Sequence, residues 1–306
     1  MLARRSLLLA APALLAQPAR GSDPLSVLAS FSILADFARE VGGERVKVEA
    51  LVGPGQDAHV FSPAPSDAQR VAAARAIVVN GLGFDAWMDR LARAANFRGT
   101  RILASEGIRT LKARHHHHHH GHDHGHVHRH GDVDPHIWQD PKRAQIMVRR
   151  IAAGLAAADP AGRAAYEANA ARYIDRLEAL HAWVEAQFAG IPREARRVVT
   201  SHDAFAYYGE RYGVTFLAPQ GVTTRAEPSA REIAALVQQI RRERIRAIFL
   251  EDMANPRLIE QVAREAGVRV GGTLFSDALS PPGGPAPTYE AMIRHNTRAL
   301  IEALAG

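Results

Sequence analysis

The sequence predicts an α/β fold: two lobes with mainly parallel sheets, joined by one long α-helix. Three observations lead there. Short apolar runs alternate with helical patterns, the rhythm of parallel strands with crossover helices. The rhythm occurs twice, once before residue 105 and again after residue 196. Between them lies a helical run rich in Ala, Glu, Leu and Arg, Ala161 to Phe188. At 1.5 Å per residue its 28 positions span roughly 42 Å, more than one small lobe needs and enough to join two. A length of 306 residues fits about two ordinary domains.

In chain order, Leu25 to Ser30 reads as a strand and Ile33 to Val41 as a helix that stops at Gly42-Gly43. Val46 to Val52 alternates like a strand and turns at Gly53-Pro54-Gly55. Ser66 to Ala74 has helical spacing, with Ser66 as its expected N-cap. Ala76 to Asn80 is a short apolar run of the buried parallel type. Phe84 to Ala95 is an amphipathic helix and Arg101 to Ala104 a strand. After Asp140, Gln145 to Ala158 and then the long run are helical. The second series has strands at Arg197 to Thr200, Val214 to Ala218, Ala247 to Leu250 and Val268 to Leu274. Its helices fall at Ala204 to Tyr212, Pro228 to Arg244, Pro256 to Ala266 and Tyr289 to Ala305. The two halves share a rhythm without a sequence repeat. The expected organisation is a signal peptide over 1–21, a first lobe over 22–159, a linking helix over 160–190 and a second lobe over 191–306.

Composition is that of a soluble globular protein, 47% hydrophobic and 23% charged. Arg4-Arg5, the apolar stretch Ser6 to Ala16 and the small residues around Ala19 and Gly21 read as a cleavable export signal. That apolar stretch is too short for the roughly 20 residues a membrane span needs. The twin arginines also admit twin-arginine export. The expected location is the periplasm. There is no cysteine. A lipid-anchored bacterial protein would carry one at its cleavage site, so a free protein is expected. The same absence excludes disulfides, thiolate metal sites and cysteine nucleophiles. The net charge of +6 falls to +3 once Arg4, Arg5 and Arg20 are removed. The remaining arginines are scattered along helical stretches, so no nucleic-acid partner is expected.

Eleven of the 16 histidines lie in residues 115–130, HHHHHHGHDHGHVHRH. An affinity tag is normally terminal, whereas this run sits mid-chain and continues irregularly. It lacks the apolar content to pack a core and is expected to be a mobile loop. Clustered neutral imidazoles bind borderline-soft divalent ions, several at a time and weakly.

Five histidines lie elsewhere: His59, His136, His181, His202 and His295. Three occupy loop contexts: Asp57-Ala-His59, Asp134-Pro-His136-Ile-Trp138 and Thr200-Ser-His202-Asp-Ala-Phe205. Asp277 sits in the same kind of place, just past a strand. The intervals of 77, 66 and 75 residues are far beyond any short metal motif, so only the fold could unite these residues. Carboxyl ends of parallel strands, facing a crevice, are where α/β sheets bind ligands. With two lobes facing each other, each would supply two ligands. His181 and His295 fall mid-helix and read as ordinary, partly exposed helix residues.

These segments resemble the zinc/manganese solute-binding family of bacterial ABC importers. The matching pieces are Gly53-Pro-Gly55 with Asp57-Ala-His59, Pro63-Ala-Pro-Ser-Asp67, Asp134-Pro-His136-Ile-Trp138, Thr200 to Tyr208 and Asp277-Ala-Leu279. The resemblance covers essentially the whole mature chain. It implies two α/β lobes bridged by one long rigid helix, metal ligands His59, His136, His202 and Asp277, no enzymatic activity, and an ABC membrane permease as partner. A monomer is expected. The histidine-rich loop is similar to that of the zinc-importing members. Two departures stand out: Ala58 replaces the usual proline, and Phe61-Ser62 stand where the family often has Glu.

Manganese-type members place Glu where this chain has His202. Three imidazoles and one carboxylate suit Zn²⁺ better than Mn²⁺, which prefers oxygen. Other readings are a manganese or other divalent-metal importer component, or a metal buffer or adhesin on the same scaffold. A remote one is a three-histidine zinc hydrolase, which needs an open metal position and a base. Asp277 or the Glu251-Asp252 pair could supply that base; otherwise the pair supports the ligands from behind.

Overall fold

The computed structural model describes residues 23–113 and 133–305. The expected signal peptide and the histidine-rich run at 115–130 lie outside the described residues. The first half contains β1 (Leu25–Phe31), α1 (Ser32–Gly42), β2 (Val46–Val52), α2 (Pro65–Ala73), β3 (Ala76–Val79), α3 (Ala86–Ala94), β4 (Thr100–Leu103) and α4 (Pro141–Ala158). Then comes α5 (Arg163–Phe188). The second half contains β5 (Arg197–Val199), α6 (Ala206–Tyr212), β6 (Thr215–Leu217), α7 (Ala230–Glu243), β7 (Ala247–Glu251), α8 (Pro256–Ala266), β8 (Arg269–Leu274) and α9 (Tyr289–Ala305).

Each half holds one four-stranded sheet, in the orders β2-β1-β3-β4 and β6-β5-β7-β8. Every pairing is parallel. The central strands are apolar because helices cover both faces: all four residues of β3 are buried, and six of the seven in β1. The orders reverse direction between β1 and β3 and between β5 and β7. Loops at the carboxyl ends of such strands face a crevice.

Helix α5 buries one stripe, Tyr166, Ala170, Tyr173, Leu177, Leu180, Val184 and Phe188, spaced by three and four residues. That stripe packs on α1 and α4 of the first half and on α6 and α9 of the second. One apolar core therefore runs from β1 through α5 to α9. A separate small cluster, including Val199, Leu236, Ile240, Ile248, Ile259 and Val262, seats α7 and α8 on the second sheet.

Several boundaries differ from the sequence reading. Helix α5 begins at Arg163, because Pro160 to Gly162 form a 3-10 turn. A Cβ at Gly162 would meet the Asp159, Arg45 and Tyr166 side chains at 2.4–2.6 Å, so a larger residue there has to displace that hydrogen-bonded cluster. Helix α4 begins at Pro141 instead of Gln145, capped by the Asp140 side chain on the Lys142 N–H. Ser66 is not the cap of α2. That helix starts at Pro65, and Asp67 Oδ2 accepts the N–H of Ala64 at 2.8 Å.

Asp36, buried in α1, accepts the Tyr289 N–H at 2.8 Å where α9 begins, so the first half caps the last helix. Burial raises its pKa to about 6 from 3.8. The folded state thus holds the proton more tightly than the unfolded chain. Ionisation costs the fold up to roughly 3 kcal/mol above pH 6, and the cost fades as pH falls toward 3.8. Asp36→Asn keeps an acceptor for Tyr289. It is expected to raise the thermal midpoint by several degrees at pH 7.5 and leave it unchanged at pH 4, by circular dichroism. An equal shift at both pH values would contradict this account.

Candidate metal centre

The four residues singled out from the sequence come together. His59 lies in the loop after β2, and His136 just before α4. His202 follows β5, and Asp277 follows β8. One ligand atom from each lies within 4.8 Å of every other, and all four residues are buried. His59 Nε2 is 3.3 Å from His136 Nε2. Asp277 Oδ2 is 3.2 Å from both His59 Nε2 and His202 Nε2, and Oδ1 is 3.5 Å from His136 Nε2. Both Asp277 oxygens are buried without an aligned hydrogen bond. A buried carboxylate left unsatisfied is costly. Converging lone pairs of this kind match the donor set of a divalent cation.

Each histidine is held from behind. Asp57 Oδ1 accepts the His59 backbone N–H at 2.8 Å. Asp134 Oδ1 accepts the His136 backbone N–H at 2.9 Å and lies 2.7 Å from its Nδ1. That contact directs Nε2 into the cluster. Glu251, at the end of β7, grips His202 at two points. Its Oε1 accepts the backbone N–H at 2.9 Å, and its Oε2 lies 2.6 Å from Nδ1, off the ideal hydrogen-bond line. The same Oε2 accepts the Ser276 hydroxyl at 2.6 Å, one residue before Asp277. The Phe84 ring edges onto the His59 ring at a centroid distance of 4.6 Å, and Trp138 backs His136 at 5.3 Å.

The electrostatics are uneven. Burial holds the His59 imidazole below its ordinary pKa, and its histidine neighbours add to that against the pull of Asp277. Burial would lower His202 too, but the carboxylates of Glu251 and Asp277 outweigh it and hold His202 well above the usual value. Burial opposes ionisation of Asp277, yet His136 and His202 keep it well below the carboxylate range. Asp252 is pushed up to about 8, by burial first and then by Asp277 and Glu251.

Both halves meet at this point. Ser276 O accepts from Trp138 Nε1 at 2.8 Å and from Gln139 Nε2 at 2.6 Å. Leu279 accepts from Gly55 N and donates to Ser32 Oγ, both at 3.0 Å. Thr224 donates to Asp57 Oδ2 at 2.6 Å, and Arg225 Nε to the His59 carbonyl at 2.8 Å. A cavity of about 180 Å³, lined by His59, Phe84, Pro135, Val222 and Arg225 among others, opens beside His59. Leu82, on its rim, holds φ 55° between two left-handed glycines.

Sequence reasoning passed over Asp57, Asp134, Thr224, Arg225 and Ser276. The repeated Asp-x-His spacing at 57–59 and 134–136 was the signal for the first two, since a short acid two residues ahead naturally accepts the backbone N–H. Phe61, where the family often has Glu, packs on Trp87 at 4.6 Å, and Ala58 O accepts the Trp87 N–H. His181 meets Tyr212 OH at 3.1 Å and His295 meets the Thr273 carbonyl at 2.9 Å; neither joins the cluster.

A two-lobed α/β scaffold with a buried three-histidine, one-carboxylate cluster where the lobes meet defines a protein that captures a metal ion. The chain belongs to the ZnuA family, described as zinc-uptake complex component A periplasmic, whose family model matches residues 27–303. This is a family of metal-binding components of ABC importers, not of enzymes. The chain is 31% identical to the manganese-binding lipoprotein MntA of Halalkalibacterium halodurans, over 92% of this chain and 89% of that one. It is 28% identical to the manganese ABC transporter substrate-binding lipoprotein PsaA of Streptococcus pneumoniae, over 92% and 90%. Among solved structures it is similar to the periplasmic zinc-binding protein TroA of Treponema pallidum, with a TM-score of 0.83 at 27% identity, covering 92% of this chain and 99% of that one.

Proposed function

We propose that this chain captures one Zn²⁺ between its lobes, through Nε2 of His59, His136 and His202 and the carboxylate of Asp277, and delivers it to an ABC-type import permease. The observation that carries this reading is the convergence of four buried donor atoms within 4.8 Å. We place the protein in the periplasm as a monomer. Its relatives include named lipoproteins, but this chain has no cysteine to carry a lipid.

Manganese is the competing cargo, and the names of MntA and PsaA favour it. The donor set favours zinc: three of four donors are imidazole nitrogens, and divalent affinity rises from Mn²⁺ toward Zn²⁺ at such sites. Competition calorimetry on metal-free protein is expected to give zinc at least 100-fold tighter than manganese, with one tight site. Equal affinities, or a preference for manganese, would reassign the cargo.

A further inference from the structure

We infer that the basic seam between the Ile108–Arg109 turn, α4 and α6 is the face on which an acidic segment of the membrane permease docks. The inference rests on the importer reading above. The seam encloses about 620 Å³ and is lined by Arg109, Lys142, Arg143, Arg149, Arg211 and Glu210; Lys142 pairs with Glu178, and Arg143 and Arg211 with Asp140, so five cations meet three carboxylates. The Arg109 side chain is 80% exposed, and among the described residues its guanidinium pairs only with Glu210, at 2.9 Å. Arg149 is exposed and makes no hydrogen bond or ion pair among the described residues. One exposed cation without a partner among the described residues, Arg149, and one exposed cation held by a single carboxylate, Arg109, therefore face solvent. The 114–132 segment of this chain is no complement: Asp123 and Asp132 are offset by Arg114 and Arg129.

The position of the seam gives docking a consequence. Arg143 and Arg211 both grip the buried carboxylate of Asp140, at 2.7–3.0 Å, four residues past His136. Arg143 also reaches Glu210 on α6, at 2.7 Å, and α6 starts four residues past His202. Tyr207 of α6 donates to the Asp134 carbonyl at 2.6 Å. A partner carboxylate that displaces Glu210 thus touches the segments carrying His136 and His202 together. A second basic cluster, around Arg93 and Arg98, lies at the amino end of β4, away from the metal cluster, and serves as the control.

The test is charge reversal, Arg109→Glu with Arg149→Glu in the full chain, in the native host with its own copy replaced. Arg149→Glu alone, at the cation with no partner among the described residues, is expected to keep wild-type zinc affinity by calorimetry and a wild-type thermal midpoint, which separates a docking effect from the Glu210 repulsion that Arg109→Glu adds. Radioactive zinc uptake by the double variant at limiting expression is expected to fall at least tenfold, since like charges suppress productive encounter. Arg93→Glu with Arg98→Glu is expected to leave uptake within twofold. Unchanged uptake by the first variant, equal loss by the second, or a lost self-association in sedimentation would overturn the docking surface. If a deletion of the gene leaves zinc uptake intact, the importer reading itself fails.

Discussion

His202→Ala is expected to weaken tight zinc binding by roughly 100- to 1000-fold. Structural zinc sites are worth about 10–16 kcal/mol, or some 2.5–4 kcal/mol for each of four donors. His202 carries a second signature. Glu251 and Asp277 hold its metal-free pKa well above the ordinary value, which favours the protonated ring before metal binds. Zinc requires the neutral ring, so capture expels that proton. The wild type is expected to release protons on binding zinc, with affinity falling as pH is lowered. Calorimetry in buffers of different ionisation enthalpy measures this directly. His202→Ala should lose the proton release along with the affinity, whereas His181→Ala should keep both. Wild-type binding without proton release would contradict the charge state assigned to His202.

The second large effect is expected from Glu251→Gln. The glutamine still accepts the His202 backbone N–H but removes the negative charge beside Nδ1. Carboxylates behind metal-ligating histidines are worth about 10- to 100-fold in affinity. A loss in that range is expected, with proton release at pH 7 reduced because the His202 pKa drops. The two readouts move together only if Glu251 acts through His202. Glu251→Leu tests the cost of losing the backbone clamp as well, read as a lower thermal midpoint. Full affinity in Glu251→Gln would mean that the clamp is structural only.

Much of this was legible in the chain. Apolar runs such as Ala76 to Asn80 and Ala247 to Leu250 mark buried parallel strands, because helices cover both faces. His59, His202 and Asp277 stood out by their strand-end contexts, His136 by its Asp-Pro-His-Ile-Trp loop, and all four by family resemblance. Boundaries were less legible. Asp140-Pro141 is a capped helix start, yet it sits so close to His136 that it reads as part of that loop. The grip of Glu251 on His202 spans 49 residues, and that of Arg225 on the His59 carbonyl spans 166. Such contacts exist only after the sheets assemble, and no periodicity encodes them.

The anchoring of Ser276 and Leu279 to Trp138, Gln139, Ser32 and Gly55 has a bearing on how cargo leaves. Asp277 comes from the last strand, yet its flanks are fastened to the opposite half by four hydrogen bonds. A swing of the second sheet that spares those bonds must first break the Ser276–Glu251 contact, because Glu251 also clamps the His202 backbone. That contact is therefore the latch on the path by which His202 could separate from Asp277 and turn a four-donor cage into a three-donor one.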